Sequence, residues 1–103
     1  MRIIGGKFKN KKISFPKNIK TRPLKDSVRE NIFNILFHSK VIDIDLKNLN
    51  VLDLYAGSGS FGIECLSRNA SKVVFVEKDP DAILNLKKNI HNINLLKNSK
   101  IVS

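Results

Sequence analysis

A glycine turn between an apolar segment and a longer amphipathic segment constrains the fold of this chain most strongly. The turn reads YAGSGSFG, with glycines in the G-x-G-x-x-G pattern at Gly57, Gly59 and Gly62. The apolar run VLDLY at 51–55 enters the turn, and SFGIECLSR at 60–68 leaves it. The short run predicts a buried strand and the longer segment predicts a helix, so the turn joins a strand to a helix.

The alternation of strand and helix continues after the turn. VVFVE at 73–77 predicts a second strand, and IVS at 101–103 predicts the beginning of a third. Between them, 80–93 predicts a helix that Asp79 caps and that has Pro80 at its first position. The apolar face of this helix comprises Ile83, Leu86, Ile90 and Ile93. Strand, helix and strand form a right-handed βαβ unit, so we expect an α/β fold, the first part of a Rossmann-like domain with a parallel sheet.

An amphipathic helix is predicted at 27–38, ahead of the βαβ unit. Its start has the capping pattern Ser27-Val-Arg-Glu30, with Asp26 as a competing cap. The apolar stripe expected to face the core comprises Val28, Ile32, Ile35 and Leu36. The segment at 41–50 is left as a connector, because it alternates like a strand but is short and rich in Asn.

Positive charge is concentrated at the start of the chain. The net charge is +10, and residues 1–29 contain ten bases and one acid, whereas residues 30–103 contain nine bases and eight acids. A general compositional bias would not separate charge in this way, so the block is interpreted as a surface for nucleic acid, with a merely solvated basic arm as the alternative. The ten bases are Arg2, Lys7, Lys9, Lys11, Lys12, Lys17, Lys20, Arg22, Lys25 and Arg29.

The same segment predicts a β-hairpin. A two-residue turn after Lys9 pairs Phe8 with Ile13 on one face and places Lys9 opposite Lys12. Like charges opposite each other destabilise a hairpin, which favours a polyanion as the partner of this surface. Lysines that simply extend into water remain the alternative.

Two carboxylates flank the glycine turn. Asp53 lies within the first strand, where a buried carboxylate is costly unless a polar or cationic group meets it. A bound diphosphate would repel this carboxylate, whereas the ammonium and sulfonium groups of S-adenosylmethionine would be attracted to it. Glu77, at the end of the second strand, is placed to accept hydrogen bonds from both hydroxyls of a ribose. The pair favours S-adenosylmethionine over a nicotinamide dinucleotide.

The sequence resembles the bacterial small-subunit (16S) ribosomal RNA guanine methyltransferases, which modify an exocyclic amine and are related to the N6-adenine-type DNA methylases. Four ordered segments carry the resemblance: RIIGGKFKNKKISFP, TRPLKDSVRENIFNIL, VLDLYAGSGSFGIECLSRNA and VVFVEKDPDAI. The resemblance implies a class I methyltransferase fold, S-adenosylmethionine as cofactor, and ribosomal RNA or the small ribosomal subunit as partner.

The resemblance also implies roles for individual residues. It divides the chain into a basic arm at 1–26 and the first half of the cofactor-binding domain at 27–103. The residues implied to bind the cofactor are Thr21, Arg22, Asp26, Asp53, Tyr55, Ala56, Gly57, Ser58, Gly59 and Glu77. The residues expected to face RNA are Lys7, Lys9, Lys11, Lys12, Arg22 and Arg29.

The catalytic motif of that family does not occur in this sequence. The motif is Asn or Asp followed by Pro-Pro and an aromatic residue, and the chain contains no Pro-Pro. In the family, its polar atoms orient the target amine and its aromatic ring stacks on the flipped base. We therefore expect no catalytic residue in these 103 residues and interpret the chain as the N-terminal piece of a longer enzyme, lacking activity alone. A non-catalytic RNA-binding module and, less favoured, a nicotinamide-dependent oxidoreductase domain are the alternatives.

Other classes of site find little support in the sequence. Cys65 is the single cysteine, so an internal disulfide is impossible, and His38 and His91 are far apart, which argues against a metal site. No apolar run approaches the length of a membrane span, and the N-terminus does not resemble a secretion signal. We expect an intracellular, cytoplasmic protein with Cys65 and Gly62 serving only to pack the core.

Overall fold

The computed structural model describes residues 2–14, 26–38, 45–54 and 56–103. Within them, three parallel strands form one sheet in the order β1-β2-β3: β1 (Asn50–Leu54), β2 (Lys72–Val76) and β3 (Ser99–Val102). Asp53 pairs with Phe75, and Phe75 pairs with Ile101. The predicted α/β fold with a parallel sheet is confirmed, and each strand begins one or two residues earlier than the sequence indicated.

Three α-helices accompany the sheet in the described residues: α1 (Asp26–His38), α2 (Ser60–Ser67) and α3 (Pro80–Asn92). Helix α2 connects β1 to β2 and α3 connects β2 to β3, as a pair of βαβ crossovers requires. Asn69 and Asn94 follow α2 and α3 with φ of 80° and 58°, and each allows the next residue to donate its N–H back into the helix. These left-handed residues end the helices because Asn tolerates positive φ.

The core lies between the sheet and helices α2 and α3. Val73 and Phe75 of the sheet and Ile63 and Leu86 of the helices are fully buried. A Cβ on Gly62 would lie 2.3 Å from Cε1 of Phe75, so this glycine lets α2 approach the sheet closely, as expected. Cys65 is also buried, and burial raises the pKa of its thiol to about 12, so it behaves as an apolar core group.

Helix α1 buries the predicted face only in part, since Ile32 and Leu36 are half-buried. Val28 and Ile35 are 41% and 57% exposed, whereas Phe33, which the predicted stripe omitted, is 1% exposed. The Phe33 ring stacks on Phe61 at 5.2 Å between centroids, and the Arg68 guanidinium lies 4.6 Å from its centre. The larger aromatic surface and its cation partner therefore determine which face turns inward.

The predicted hairpin register is wrong. Arg2 forms an antiparallel bridge with Lys12. The Ile3 N–H donates to the Lys11 carbonyl, and the Ile3 carbonyl accepts the Asn10 N–H. Phe8 therefore lies within the connecting turn instead of pairing with Ile13. Ile3 and Ile13 are the buried side chains of this segment, at 0% and 3% exposure. Burial of both isoleucines against the core selects the register, which local alternation could not indicate.

None of the helices among the described residues combines the length and the apolar character that crossing a bilayer would require.

Candidate functional site

The glycine turn lies at the carboxyl end of β1, between that strand and helix α2. Gly57 and Gly59 have φ of 58° and 90°, values that non-glycine residues seldom adopt. A Cβ on Gly57 would meet no atom within 4 Å, whereas a Cβ on Gly59 would lie 2.3 Å from Cδ1 of Leu86. Gly57 therefore leaves open space above the turn, and Gly59 packs the turn against α3.

Asp53 supports the start of helix α2 from the neighbouring strand. Its Oδ2 accepts a hydrogen bond of 3.2 Å from the N–H of Gly62, one of the first-turn donors that lack a partner within the helix. Gly59 stands at the N-cap without a side chain, so this carboxylate takes the place of a capping residue. Burial raises the pKa of Asp53 to about 6; the Gly62 hydrogen bond opposes the shift, and Glu77 adds to it.

Glu77 connects the glycine turn to the end of β2. Its Oε1 accepts the Gly57 N–H at 2.8 Å, and its Oε2 accepts the N–H groups of Lys78 at 3.0 Å and Asp79 at 2.9 Å. Desolvation acts to raise the pKa of Glu77, but these donors and the Lys78 charge lower it overall. A carboxylate has about four acceptor positions, so one remains for a ligand hydroxyl, and contact of Glu77 with both ribose hydroxyls stays a prediction.

The backbone of Asp79 occupies the N-cap of α3, but its side chain makes no capping hydrogen bond. The predicted capping role of that side chain is therefore wrong. Glu77 already accepts the Asp79 N–H, and Pro80 needs no partner at the first position.

Asn89 of α3 holds the turn and the N-terminal segment together. Its amide nitrogen donates to the carbonyl oxygens of Ser58 at 2.9 Å and Ser14 at 3.0 Å. Its amide oxygen accepts from the N–H of Ser14 at 3.0 Å and from the Ser14 hydroxyl at 2.9 Å. Asn89 is 3% exposed, so one buried side chain bridges the two backbone segments. Asn89 was not predicted from the sequence.

Glu64 and Ser67 of α2 anchor the beginning of the chain. The Glu64 carboxylate accepts the N–H groups of Ile4 at 2.8 Å and Gly5 at 2.9 Å, and it pairs with Arg68 at 2.9 Å. The Ser67 hydroxyl donates to the Gly5 carbonyl at 2.5 Å and accepts the Phe8 N–H at 3.0 Å. Both polar side chains are fully buried. Their position among the apolar residues of α2 was the one signal in the sequence that could have identified them.

The structure brings Asp53, Ala56, Gly57, Ser58, Gly59 and Glu77 together around one turn. Thr21, Arg22 and Tyr55 lie outside the described residues. Asp26 and Arg29 lie in helix α1, with their side chains outside the described part of the chain. Lys7, Lys9, Lys11 and Lys12 are exposed on the N-terminal segment. His91 is exposed on α3.

The described residues contain no group of three or more His, Cys, Asp or Glu side chains placed to hold a metal ion.

A parallel sheet with this turn after its first strand and an acidic residue after its second is the beginning of a Rossmann-like domain. The solved structures that match it identify the fold as that of class I methyltransferases. An Escherichia coli structure named "Putative methyltransferase yhhF" matches with a TM-score of 0.79 and 32% identity, over 99% of this chain and 51% of that chain.

The chain belongs to the family described as Conserved hypothetical protein 95, which matches residues 1–103. "Ribosomal RNA small subunit methyltransferase D" of Buchnera aphidicola subsp. Acyrthosiphon pisum is 42% identical over 93 residues, covering 90% of this chain and 46% of the relative. "Uncharacterized methylase RP545" of Rickettsia prowazekii is 39% identical over 106 residues, covering 92% of this chain and 45% of the relative. The resemblance stated from the sequence is thus confirmed. The chain spans about half the length of the curated relatives it matches.

Proposed function

We propose that this chain is the donor-binding part of an S-adenosylmethionine-dependent methyltransferase that acts on small-subunit ribosomal RNA. The observation that carries the proposal is the open space over Gly57 between two carboxylates. Glu77 accepts the N–H of Gly57 in the turn, and Asp53 accepts the N–H of Gly62 just after it. Membership of a family whose relatives are named as ribosomal RNA methyltransferases supports the choice of substrate. An exocyclic amine of guanine is the acceptor that we propose.

The residues present fit a cationic donor without phosphates. Asp53 and Glu77 place two carboxylates near the turn, and their mutual repulsion contributes to the raised pKa of Asp53. A cation close to both would relieve that repulsion, whereas a diphosphate would increase it. Gly57 lets a ligand approach the backbone closely, and Glu77 retains one acceptor position for a hydroxyl. When bound, the donor supplies an electrophilic methyl group, and this chain holds and orients the donor.

Orientation of the acceptor is assigned to residues outside this sequence. The Asn/Asp-Pro-Pro-aromatic motif does not occur in the 103 residues, and an amine needs hydrogen-bond acceptors to direct its lone pair at the methyl group. We therefore propose that this chain has no methyl transfer activity alone and that activity needs a polypeptide of the relatives' length.

The test is methyl transfer by a version of this protein extended to that length. Methyl groups from labelled S-adenosylmethionine are expected in small-subunit RNA, either naked or within assembled subunits, and Asp53→Asn is expected to reduce the rate strongly. Asn keeps an oxygen for the Gly62 N–H, so this variant removes the charge while it preserves the cap. No incorporation into either substrate by a folded extended protein would refute the proposed activity.

A non-catalytic RNA-binding module is the second candidate, because exposed lysines are concentrated on the N-terminal segment. It predicts RNA affinity that depends steeply on salt and not at all on S-adenosylmethionine. Calorimetry with this donor separates the two candidates.

A further inference from the structure

A groove separates the N-terminal segment from the second half of helix α3. It has a volume of about 680 Å³. Arg2 and Lys12 of the antiparallel bridge lie on one wall, and Lys88 and Asn92 of α3 lie on the other. Asn89 lines the groove as well. The two walls are remote in sequence, so only the folded chain assembles this surface.

The charge of the groove has one sign. Three of its lining side chains are cationic, one of them contributed by α3, and no acidic residue is among the described residues that line it. Lys12 and Lys88 are exposed, so both ammonium groups can reach a ligand that lies along the groove. The amide side chains of Asn10 and Asn92 also line the groove and supply both donors and acceptors. The Asn10 Oδ1 accepts a hydrogen bond of 3.2 Å from Arg2.

The two walls are held in a fixed relation to each other. Asn89 extends from α3 to the backbone of Ser14 on the opposite wall, with hydrogen bonds of 2.9 to 3.0 Å. Its amide nitrogen also donates to the Ser58 carbonyl of the glycine turn. The groove is therefore preformed, and one of its lining residues contacts the turn proposed to hold the methyl donor.

We propose that this groove binds the phosphodiester backbone of RNA and leads the strand past the glycine turn. Cations on two walls match a line of phosphates, and the amides can bond sugar hydroxyls or base edges. The inference rests on the proposed function, because that function requires RNA beside the donor. It adds Lys88 of α3 to the residues expected to contact RNA, and it includes Arg2 and Lys12 of the basic N-terminal block.

The test compares two adjacent lysines of α3. Lys88 lines the groove, whereas Lys87 lines a separate, mainly apolar pocket beside Leu96 and Ile101. Lys88→Ala and Lys87→Ala each remove one positive charge from an exposed position on the same helix. Binding of a fluorescent single-stranded RNA is measured by anisotropy over a range of salt concentrations. A fragment of small-subunit ribosomal RNA provides the probe.

Lys88→Ala is expected to weaken RNA binding and to make the slope of log affinity against log salt shallower by about 0.7, as the loss of one phosphate contact requires. Lys12→Ala is expected to behave in the same way. Lys87→Ala should leave the slope unchanged. Equal slopes for Lys88→Ala and Lys87→Ala would overturn the inference.

Competition with inorganic phosphate identifies the source of the anion. If the groove binds RNA, phosphate should displace the RNA no more strongly than chloride does at the same ionic strength. Saturable phosphate binding that Lys88→Ala abolishes, with RNA affinity unchanged, would indicate a small-anion site and overturn the RNA inference.

Titrations with S-adenosylmethionine distinguish the two proposals. If the unmodified chain binds the donor but Lys88→Ala and Lys87→Ala have equal salt slopes of RNA binding, only the groove inference is refuted. If the unmodified chain does not bind the donor, the proposed function is refuted.

Discussion

At the residue scale, Asp53 has both a structural and an electrostatic role. Its carboxylate caps α2 through Gly62, yet burial holds its pKa at about 6 instead of 3.8. The folded state therefore binds this proton more tightly than the unfolded chain does. The contribution of Asp53 to stability is complete below about pH 3.8 and is lost as the pH rises through about 6.

Asp53→Asn removes this pH dependence. Between about pH 4 and about pH 7, the free energy of unfolding of the variant should rise by up to about 3 kcal/mol relative to the unmodified chain. Urea denaturation at a series of pH values measures the difference, and other titrating groups cancel because both proteins contain them. A difference that stays constant across this range would show that Asp53 is not held protonated by burial.

The two left-handed glycines should respond differently to substitution. Gly57→Asn should cost only about 1–2 kcal/mol, because Asn tolerates positive φ and the added Cβ meets no atom. Gly59→Asn should cost about 2–5 kcal/mol, since overpacking against Leu86 is added to the backbone strain. Denaturant midpoints of the two variants measure this. Equal losses would contradict the assignment of Gly59 to packing.

At the element scale, helix α2 organises both the sheet and the N-terminal segment. The Glu64 carboxylate receives two backbone N–H groups and Arg68 in a fully buried position. Glu64→Ala should lower the free energy of unfolding by about 3–5 kcal/mol, because it leaves the arginine and both donors without this partner. Urea denaturation is the measurement, and the exposed Glu30→Ala is the control. Similar losses in both variants would argue against Glu64 as the anchor.

Asn89→Ala tests the connection between α3 and the glycine turn. The substitution leaves the Ser58 carbonyl and the Ser14 N–H without their partner, which should cost about 1–3 kcal/mol. We also expect weaker S-adenosylmethionine binding by calorimetry, because the turn loses a support. Asn92→Ala, an exposed position on the same helix, is the control. Unchanged donor affinity in Asn89→Ala would show that the turn holds its shape unaided.

The elements that the sequence predicted well are those with strong local signals. Apolar runs, the glycine turn and Pro80 located the strands and helices from β1 onward within one or two residues. The hairpin register was wrong and the inward face of α1 was only partly right, because contacts with α2 and the core determine both. Glu64 and Asn89 were missed because their partners lie 60 and 75 positions away in the chain, a separation at which local pattern carries no information.

At the scale of the whole molecule, the described chain leaves apolar surface on the sheet. Leu52 and Leu54 of β1 are 62% and 58% exposed, while the opposite face of the sheet packs against α2. Neighbouring apolar residues at this exposure favour association. The glycine turn and the groove share Asn89 of α3, whereas the exposed leucines lie on β1.

Calorimetric titration of this chain with S-adenosylmethionine and with NAD tests the central claim most directly. We predict saturable binding of S-adenosylmethionine, weaker binding in Asp53→Asn, and no detectable binding of NAD. Saturable binding of NAD by the folded chain, with none of S-adenosylmethionine, would contradict the assignment of the glycine turn to a cationic methyl donor.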